Sequence, residues 1–280
     1  MQLGYNTNGF AHHDVFDAVE ILADIGYRSI ALTLDHGALN PFDPHCEEQV
    51  QRMGTLLRQR GLRSVVETGA RYLLDPRAKH EPTLVTRDDA GRERRIEFLC
   101  RAVDIASRLQ SDCVSIWSGV LRDECGDAEA FTRLAASLEP VLRHAAERNV
   151  KIGFEPEPGM LVATMGDFER LLSVIDAPNL GLTLDVGHLH CLGEGPIADV
   201  IRRWQRKLVN VHIEDMVRGT HDHRMFGEGE MDFEPILLSL DKTGYSGGVH
   251  VELSRHSHDA PAAASRAYHF LRGYFDAPQT

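Results

Sequence analysis

Short β-branched or apolar runs alternate with longer amphipathic segments from one end of the chain to the other. This rhythm builds a parallel sheet, because parallel neighbours are joined by crossovers long enough to be helices. Strands are expected at 3 to 6, 29 to 33, 63 to 67, 113 to 117, 151 to 155, 180 to 185, 208 to 212 and 248 to 252. Eight is the number that closes a barrel. Helices fill the gaps at 14 to 25, 45 to 60, 88 to 110, 127 to 148, 164 to 175, 196 to 206, 232 to 243 and 259 to 273. In the first, Asp14 is placed as the cap, the apolar residues of VFDAVEILADIGY recur at helical spacing, and Gly26 stops the run. The 280 residues lie close to the roughly 250 of one barrel. The expected fold class is therefore α/β, a single (β/α)8 barrel domain over 1–280. No linker, repeat or low-complexity tract interrupts the series, and the longest irregular stretch, 68 to 87, is of a length that points to function.

Composition narrows the partners. Hydrophobic residues at 42% and charged residues at 26% are ordinary for a globular protein. No stretch approaches the ~20 apolar residues of a membrane span. The opening MQLGYNTNGF has neither the basic segment nor the apolar core of a signal peptide, so a cytoplasmic location and no membrane partner are expected. A net charge of -12 opposes a phosphate backbone, which argues against nucleic acid. Five cysteines without Cys-x-x-Cys spacing argue against a disulfide framework or a thiolate zinc site.

In such a barrel, polar residues at the C-terminal ends of strands face the catalytic mouth. Four successive runs end in this way: Glu155 in KIGFEPEPG, Asp185 in LGLTLDVGH, His212 in LVNVHIEDM and Glu252 in GGVHVELSR. Three carboxylates and one imidazole at one rim make an oxygen-rich site for one divalent ion. The mostly hard oxygen set favours Mn2+, Mg2+ or Co2+, and the imidazole also suits Zn2+.

The pattern is specific. A fifth strand ending in Glu, a sixth in Asp-x-x-His (Asp185 to His188), a seventh in His with Arg six residues on (His212 and Arg218) and an eighth in Glu resembles the xylose isomerase-like TIM barrel superfamily. That superfamily includes ketose 3-epimerases, hydroxypyruvate isomerases, inosose dehydratases and endonuclease IV. The resemblance to the ketose 3-epimerase branch implies that Glu155 and Glu252 are metal ligands and the acid and base, while Asp185 and His212 are ligands only. It also implies that His188 and Arg218 hold substrate oxygens. The implied activity is isomerisation or epimerisation of a sugar, sugar phosphate or cyclitol through an enediolate, with an inosose-type dehydratase as the neighbouring possibility. A small carbohydrate or cyclitol is the expected partner, and a homo-oligomer is left open.

Two departures bear on the transfer. Epimerases of this group carry a second Glu six residues after the fifth-strand ligand, where this chain has Leu161; Glu157 in the EPEPG turn either substitutes for it or pairs with a nearby cation. HDHRMFGEGEMD at 221 to 232 resembles the Asp-x-His and Gly-Glu-Gly of endonuclease IV, with His221 and His223 at the aligned places. A three-zinc cluster also needs histidines at the ends of strands three and four, where this chain has Glu67 with Thr68, and Trp117. His223 is left either touching substrate or metal, or bonded to Glu228 or Glu230. Trp117 is read as an apolar wall for a sugar ring, and Arg71, Tyr72, Arg255, His256 and His258 are placed within reach of the mouth.

Overall fold

A computed structural model describes residues 1–275; the last part of the expected domain, 276–280, lies outside the described residues. Eight parallel strands close on themselves: β1 (Gln2–Asn6), β2 (Ser29–Thr33), β3 (Arg63–Glu67), β4 (Val114–Ile116), β5 (Ile152–Phe154), β6 (Leu180–Asp185), β7 (Leu208–Ile213) and β10 (Gly248–Val251). β10 pairs with both β7 and β1 and completes the ring. Two further strands, β8 (Asp215–Val217) and β9 (Thr220–Arg224), form an antiparallel hairpin after β7. Helices α1 (Val15–Ile25), α2 (Cys46–Arg60), α3 (Asp89–Leu109), α4 (Asp127–Glu147), α5 (Met165–Val174), α6 (Val186–Leu192), α7 (Ile197–Trp204), α8 (Phe233–Lys242) and α9 (Ala260–Leu271) cover the barrel. Every strand and helix expected from the sequence is present, with ends shifted by one or two residues.

Local chemistry sets the joints. Asp14 caps α1 by accepting from the N–H groups of Phe16 and Asp17, and Gly26 ends it at a φ of 124°. Thr164 and Asp167 form a reciprocal capping box at the start of α5. α6 begins directly on Asp185, whose Oδ1 accepts from the His188 N–H at 2.8 Å. The alternation of strands and helices does not announce α6, because its seven residues are too few to show a period.

The bore of the barrel carries a hydrogen-bonded chain beneath the mouth. Ser29 Oγ lies 2.9 Å from His250 Nε2, His250 Nδ1 lies 2.8 Å from Asn210 Oδ1, and Asn210 Nδ2 donates to Glu67 Oε1 at 3.0 Å. Burial holds the His250 pKa down at about 3, so its ring is neutral, donating through Nδ1 and accepting at Nε2. Space for this imidazole requires glycine on both sides. A Cβ at Gly4 would meet His250 Cδ2 at 2.4 Å, and one at Gly248 would meet Cε1 at 2.3 Å. A buried polar group left unpaired costs ~1–3 kcal/mol, so the chain is stable only as a complete series.

Candidate metal centre

Strand register brings the four expected ligands together. Asp185 pairs with His212 across β6 and β7, and Glu155 and Glu252 follow directly on β5 and β10. The N–H groups of the two glutamates donate to Ile116 and Ile213 carbonyls, which fixes where each side chain leaves the rim. One ligand atom from each of Glu155, Asp185, His212 and Glu252 can be chosen so that all lie within 4.8 Å of one another. His212 Nδ1 is 3.0 Å from Glu155 Oε1 and 3.0 Å from Glu252 Oε2.

This donor set fits a cation. On the far side of the ring, His212 Nε2 lies 2.9 Å from Glu67 Oε1. A carboxylate can only accept, so a ring with a metal on Nδ1 would keep its one proton on Nε2, bonded to Glu67, whereas a ring without one is asked for a proton on both nitrogens. Three lone-pair donors aimed at one point repel unless a positive charge lies among them. Asp185 Oδ2 is likewise buried and spared by the α6 cap, which uses Oδ1 alone; its neighbours without a cation are His188 Nε2 at 3.5 Å and the carboxyl of Glu214. Without a metal, a proton is the substitute charge. Burial opposes ionisation of His212, but Glu155, Glu67 and Glu252 outweigh it and raise its pKa well above the usual value.

The two glutamates are driven apart electrostatically. Burial pushes Glu155 up to about 8, against the pull of His212. Burial also opposes the charge of Glu252, yet His212, His223 and His188 together hold its pKa below the usual carboxylate range. Asn8 adds to this, donating from Nδ2 to Glu252 Oε1 at 2.7 Å.

A histidine wall stands beside the cage. The β8–β9 hairpin returns His221 and His223 over His188: His221 Nε2 lies 3.0 Å from His188 Nε2 and 3.3 Å from His223 Nε2. These three imidazoles form a second group with ligand geometry, and Glu157 flanks it at 3.7 Å from His221 Nε2 and 3.9 Å from His188 Nε2. His188 is held neutral at about pKa 4, chiefly by burial. His223 Nδ1 bonds the Glu252 carbonyl at 3.1 Å, whereas Glu230 is taken up by His190 and the Arg218 N–H. Glu157 faces histidines and not a surface cation.

Arg218 departs from expectation. It lies exposed at the tip of the hairpin, with its guanidinium beside Gly193, and is not among the residues lining the mouth. Six residues past His212 leads outward here, because the chain turns at Gly219 and comes back. Trp117 does line the mouth, a cavity of about 420 Å³ shared with Glu155, Glu157, His212, His223 and Glu252. Its indole rests against the buried Arg95, whose carbon Cζ is 4.9 Å from the ring centroid. Arg95 donates to the carbonyls of His80 and Pro82 and so pins the 68–87 loop under the same wall. Arg71, Lys79 and Arg255 also line the cavity, while Tyr72, His256 and His258 do not.

Sequence reasoning missed three contributors. Glu67 reads from the sequence only as a place where a zinc ligand is missing, but it holds the outer nitrogen of His212. Asn8 enters from the short 3-10 turn after β1, where no period marks it. Glu214 is completely buried, with both carboxylate oxygens unpartnered, and its pKa is raised well above normal by burial and by Asp185. A Cβ at Gly187 would lie 1.8 Å from Glu214 Oε1, so this carboxyl packs directly under the start of α6.

A closed parallel barrel that gathers carboxylates and imidazoles at its C-terminal rim defines the class of (β/α)8 proteins with a polar, metal-suited mouth. Within that class the chain belongs to the xylose isomerase-like TIM barrel family, whose model matches residues 19–274. It is 25% identical over 201 residues to an uncharacterised protein, MJ1311, of Methanocaldococcus jannaschii, covering 65% of this chain and 68% of that protein. It is 28% identical over 168 residues to an inosose dehydratase of Lacticaseibacillus casei, covering 53% of this chain and 55% of that protein. The chain thus spans about half the length of that dehydratase. Among solved structures, a D-tagatose 3-epimerase-like protein superposes with a TM-score of 0.82 at 20% identity over 99% of this chain and 97% of the other. The IOLI protein with a bound zinc atom superposes with a TM-score of 0.79 at 20% identity over 99% and 100%. Among the described residues, no helix is long and apolar enough to cross a membrane.

Proposed function

We propose that this protein is a divalent-metal-dependent isomerase or epimerase of a sugar, sugar phosphate or cyclitol, working through a cis-enediolate. The observation that carries the reading is the pair Glu155 and Glu252, each 3.0 Å from the same His212 nitrogen, so that two carboxyl groups converge on one point of the mouth. Two carboxyl groups at one carbon supply an acid and a base. A divalent ion held by Glu155, Asp185, His212 and Glu252 would polarise adjacent carbonyl and hydroxyl oxygens and acidify the C–H between them. Mn2+ is the first choice of ion for this mostly oxygen set.

In this reading one glutamate removes the proton beside the carbonyl, and the other returns one from the opposite side. His212 stays a fixed neutral donor because Glu67 keeps its Nε2 proton. His223 and Glu157, both on the cavity wall, receive the substrate's hydroxyl oxygens, with the buried His188 backing them 3.9 Å from Glu157, and Trp117 excludes water along one wall. Arg218 takes no part, since the hairpin carries it away from the mouth.

A second reading is favoured by the dehydratase relatives: the same proton abstraction followed by loss of a β-hydroxyl. Phosphodiester cleavage on abasic DNA ranks below both, because Glu67 is committed to His212 and Trp117 fills the place of another ligand. The deciding experiment is NMR of ketoses, ketose phosphates and inososes incubated with metal-loaded protein in D2O. Deuterium at one carbon of one substrate supports the reading and identifies the product, whereas no exchange in any of them refutes it.

A further inference from the structure

The donor-lined mouth is not a closed bowl. A second chamber of about 300 Å³ adjoins it, and the two share Asn8, Thr33 and Arg71 as lining residues. The mouth alone, at about 420 Å³, already falls in the range of ~300–1,000 Å³ that holds a small ligand. One sugar ring therefore has room without the second chamber.

The chemistry of the second chamber differs from that of the first. Its apolar lining comes from Phe10, Val15 and Ala18, all buried, while Asp35 and His13 supply polar edges. Tyr72, on the 68–87 loop, stands at this chamber and is 45% exposed, a large aromatic surface open to solvent. Apolar and aromatic lining with a few polar groups is what recognises a ring with two faces and a hydroxylated rim. Arg71 is the one guanidinium on this lining; it donates to the Asn8 carbonyl at 3.2 Å and Asp35 balances its charge, so a neutral group suits the chamber better than a phosphate. Two buried polar atoms on its lining residues, Asn8 Oδ1 and His13 Nδ1, have no protein partner. Buried polar atoms are almost always paired, so these two are places for a water or a ligand hydroxyl. Asn8 is also the hinge between the chambers, since its Nδ2 donates to Glu252 while its Oδ1 is unspent.

We propose that this chamber is a second subsite and that the substrate is a glycoside bearing a ketone on its sugar ring, with that ring in the mouth and its aglycone or second ring beside Phe10 and Tyr72. The assignment of the reacting ring to the mouth rests on the function proposed above. Occupation of the chamber does not, and binding can be measured without turnover.

The test uses the full-length, metal-loaded protein and matched methyl and phenyl glycosides of common hexoses, titrated by calorimetry. At least one phenyl glycoside is expected to bind tenfold or more tightly than its methyl partner. Ala11 lines the chamber but not the mouth and is exposed, so Ala11→Trp fills the chamber without touching the acidic cage. This variant should abolish the phenyl preference and leave methyl glycoside affinity unchanged; Tyr72→Ala should reduce the preference severalfold. Equal binding of both members in every pair, no binding of either, or a phenyl preference that survives Ala11→Trp overturns the proposal. Proton exchange in D2O, followed with the same protein on free ketoses and ketose phosphates, whose carbonyl can acidify a neighbouring C–H, separates the two ideas. Exchange on free sugars without phenyl preference removes the subsite alone, and phenyl preference without exchange on any ligand removes the isomerase reading alone.

Discussion

Removing the Glu67 carboxylate tests whether the metal centre depends on a residue that never touches the ion. Two buried bonds end on Glu67 Oε1, from His212 Nε2 at 2.9 Å and from Asn210 Nδ2 at 3.0 Å. Glu67→Ala removes the acceptor both donors share, frees His212 to carry its proton on Nδ1, the nitrogen that must bind, and lets the bare Nε2 accept from Asn210 Nδ2, 3.0 Å away. Loss of such an outer partner typically lowers metal affinity by ~10–100-fold, which is about 1.4–2.7 kcal/mol. Glu67→Gln keeps a carbonyl oxygen able to accept both bonds and loses only the charge, so it should fall at the tenfold end. The assay is competition with a chromophoric chelator for Mn2+ or Co2+, with circular dichroism to confirm that each variant folds. Wild-type affinity in Glu67→Ala, or a larger loss in the Gln variant than in the Ala variant, would refute the tautomer argument.

The other expectations concern ligands, acid–base groups, pH and the hairpin. Asp185→Ala should strip the ion, since it removes the one unpartnered buried oxygen of the cage; full occupancy by elemental analysis would take Asp185 out of the ligand set. Glu155→Gln and Glu252→Gln should each lose about two to four orders of magnitude in turnover while retaining some metal; near wild-type rates in both variants sink the assignment. The folded-state pKa of Glu155 is raised to about 8, so its protonated form contributes stability that is complete below the ordinary glutamate value of 4.5 and disappears as pH rises through 8. His212, also raised, acts in the same sense. Histidines held neutral by burial, such as His188 and His250, act in the opposite sense below the ordinary histidine value of ~6.5, so it is from about 6.5 to 8 that the metal-free protein should melt at lower temperature as pH rises, and the metal-loaded protein should not; a metal-free melting temperature that climbs across that interval contradicts the cage electrostatics. Arg218→Ala should leave kcat and KM within twofold, whereas His188→Ala should raise KM with the ion still bound; a large effect at Arg218 would mean that the hairpin closes differently on substrate.

The barrel was legible because strand and helix periods persist through every unit and because each of the four rim residues ends an apolar run. The hairpin was not. THDHR reads as polar loop, and its strand character comes from pairing with Asp215–Val217, a tertiary fact. That pairing is what sends Arg218 outward and brings His221 inward. Glu67 was visible as a strand-end carboxylate, but its partner is on β7, far along the chain, and no local spacing encodes a side chain that serves another side chain. The Asp-x-x-His motif was readable as chemistry, whereas its second role, capping α6 through Oδ1, emerges only with the helix itself.

The carboxylate of Asp215 gives the rim an asymmetric entropy. Its oxygens accept from the N–H groups of Gly227, Gly229 and Met231, which ties the segment after the hairpin to a residue three positions beyond His212. Glycine at 229 is obligatory, since a Cβ there would sit 2.2 Å from Asp215 Oδ1. The histidine wall is thus ordered before any ligand arrives, and binding against it incurs little loss of backbone freedom. Selectivity on that side then comes from fixed shape and not from closure: a ligand that misfits the wall must strain itself, because the wall has already spent its freedom in folding.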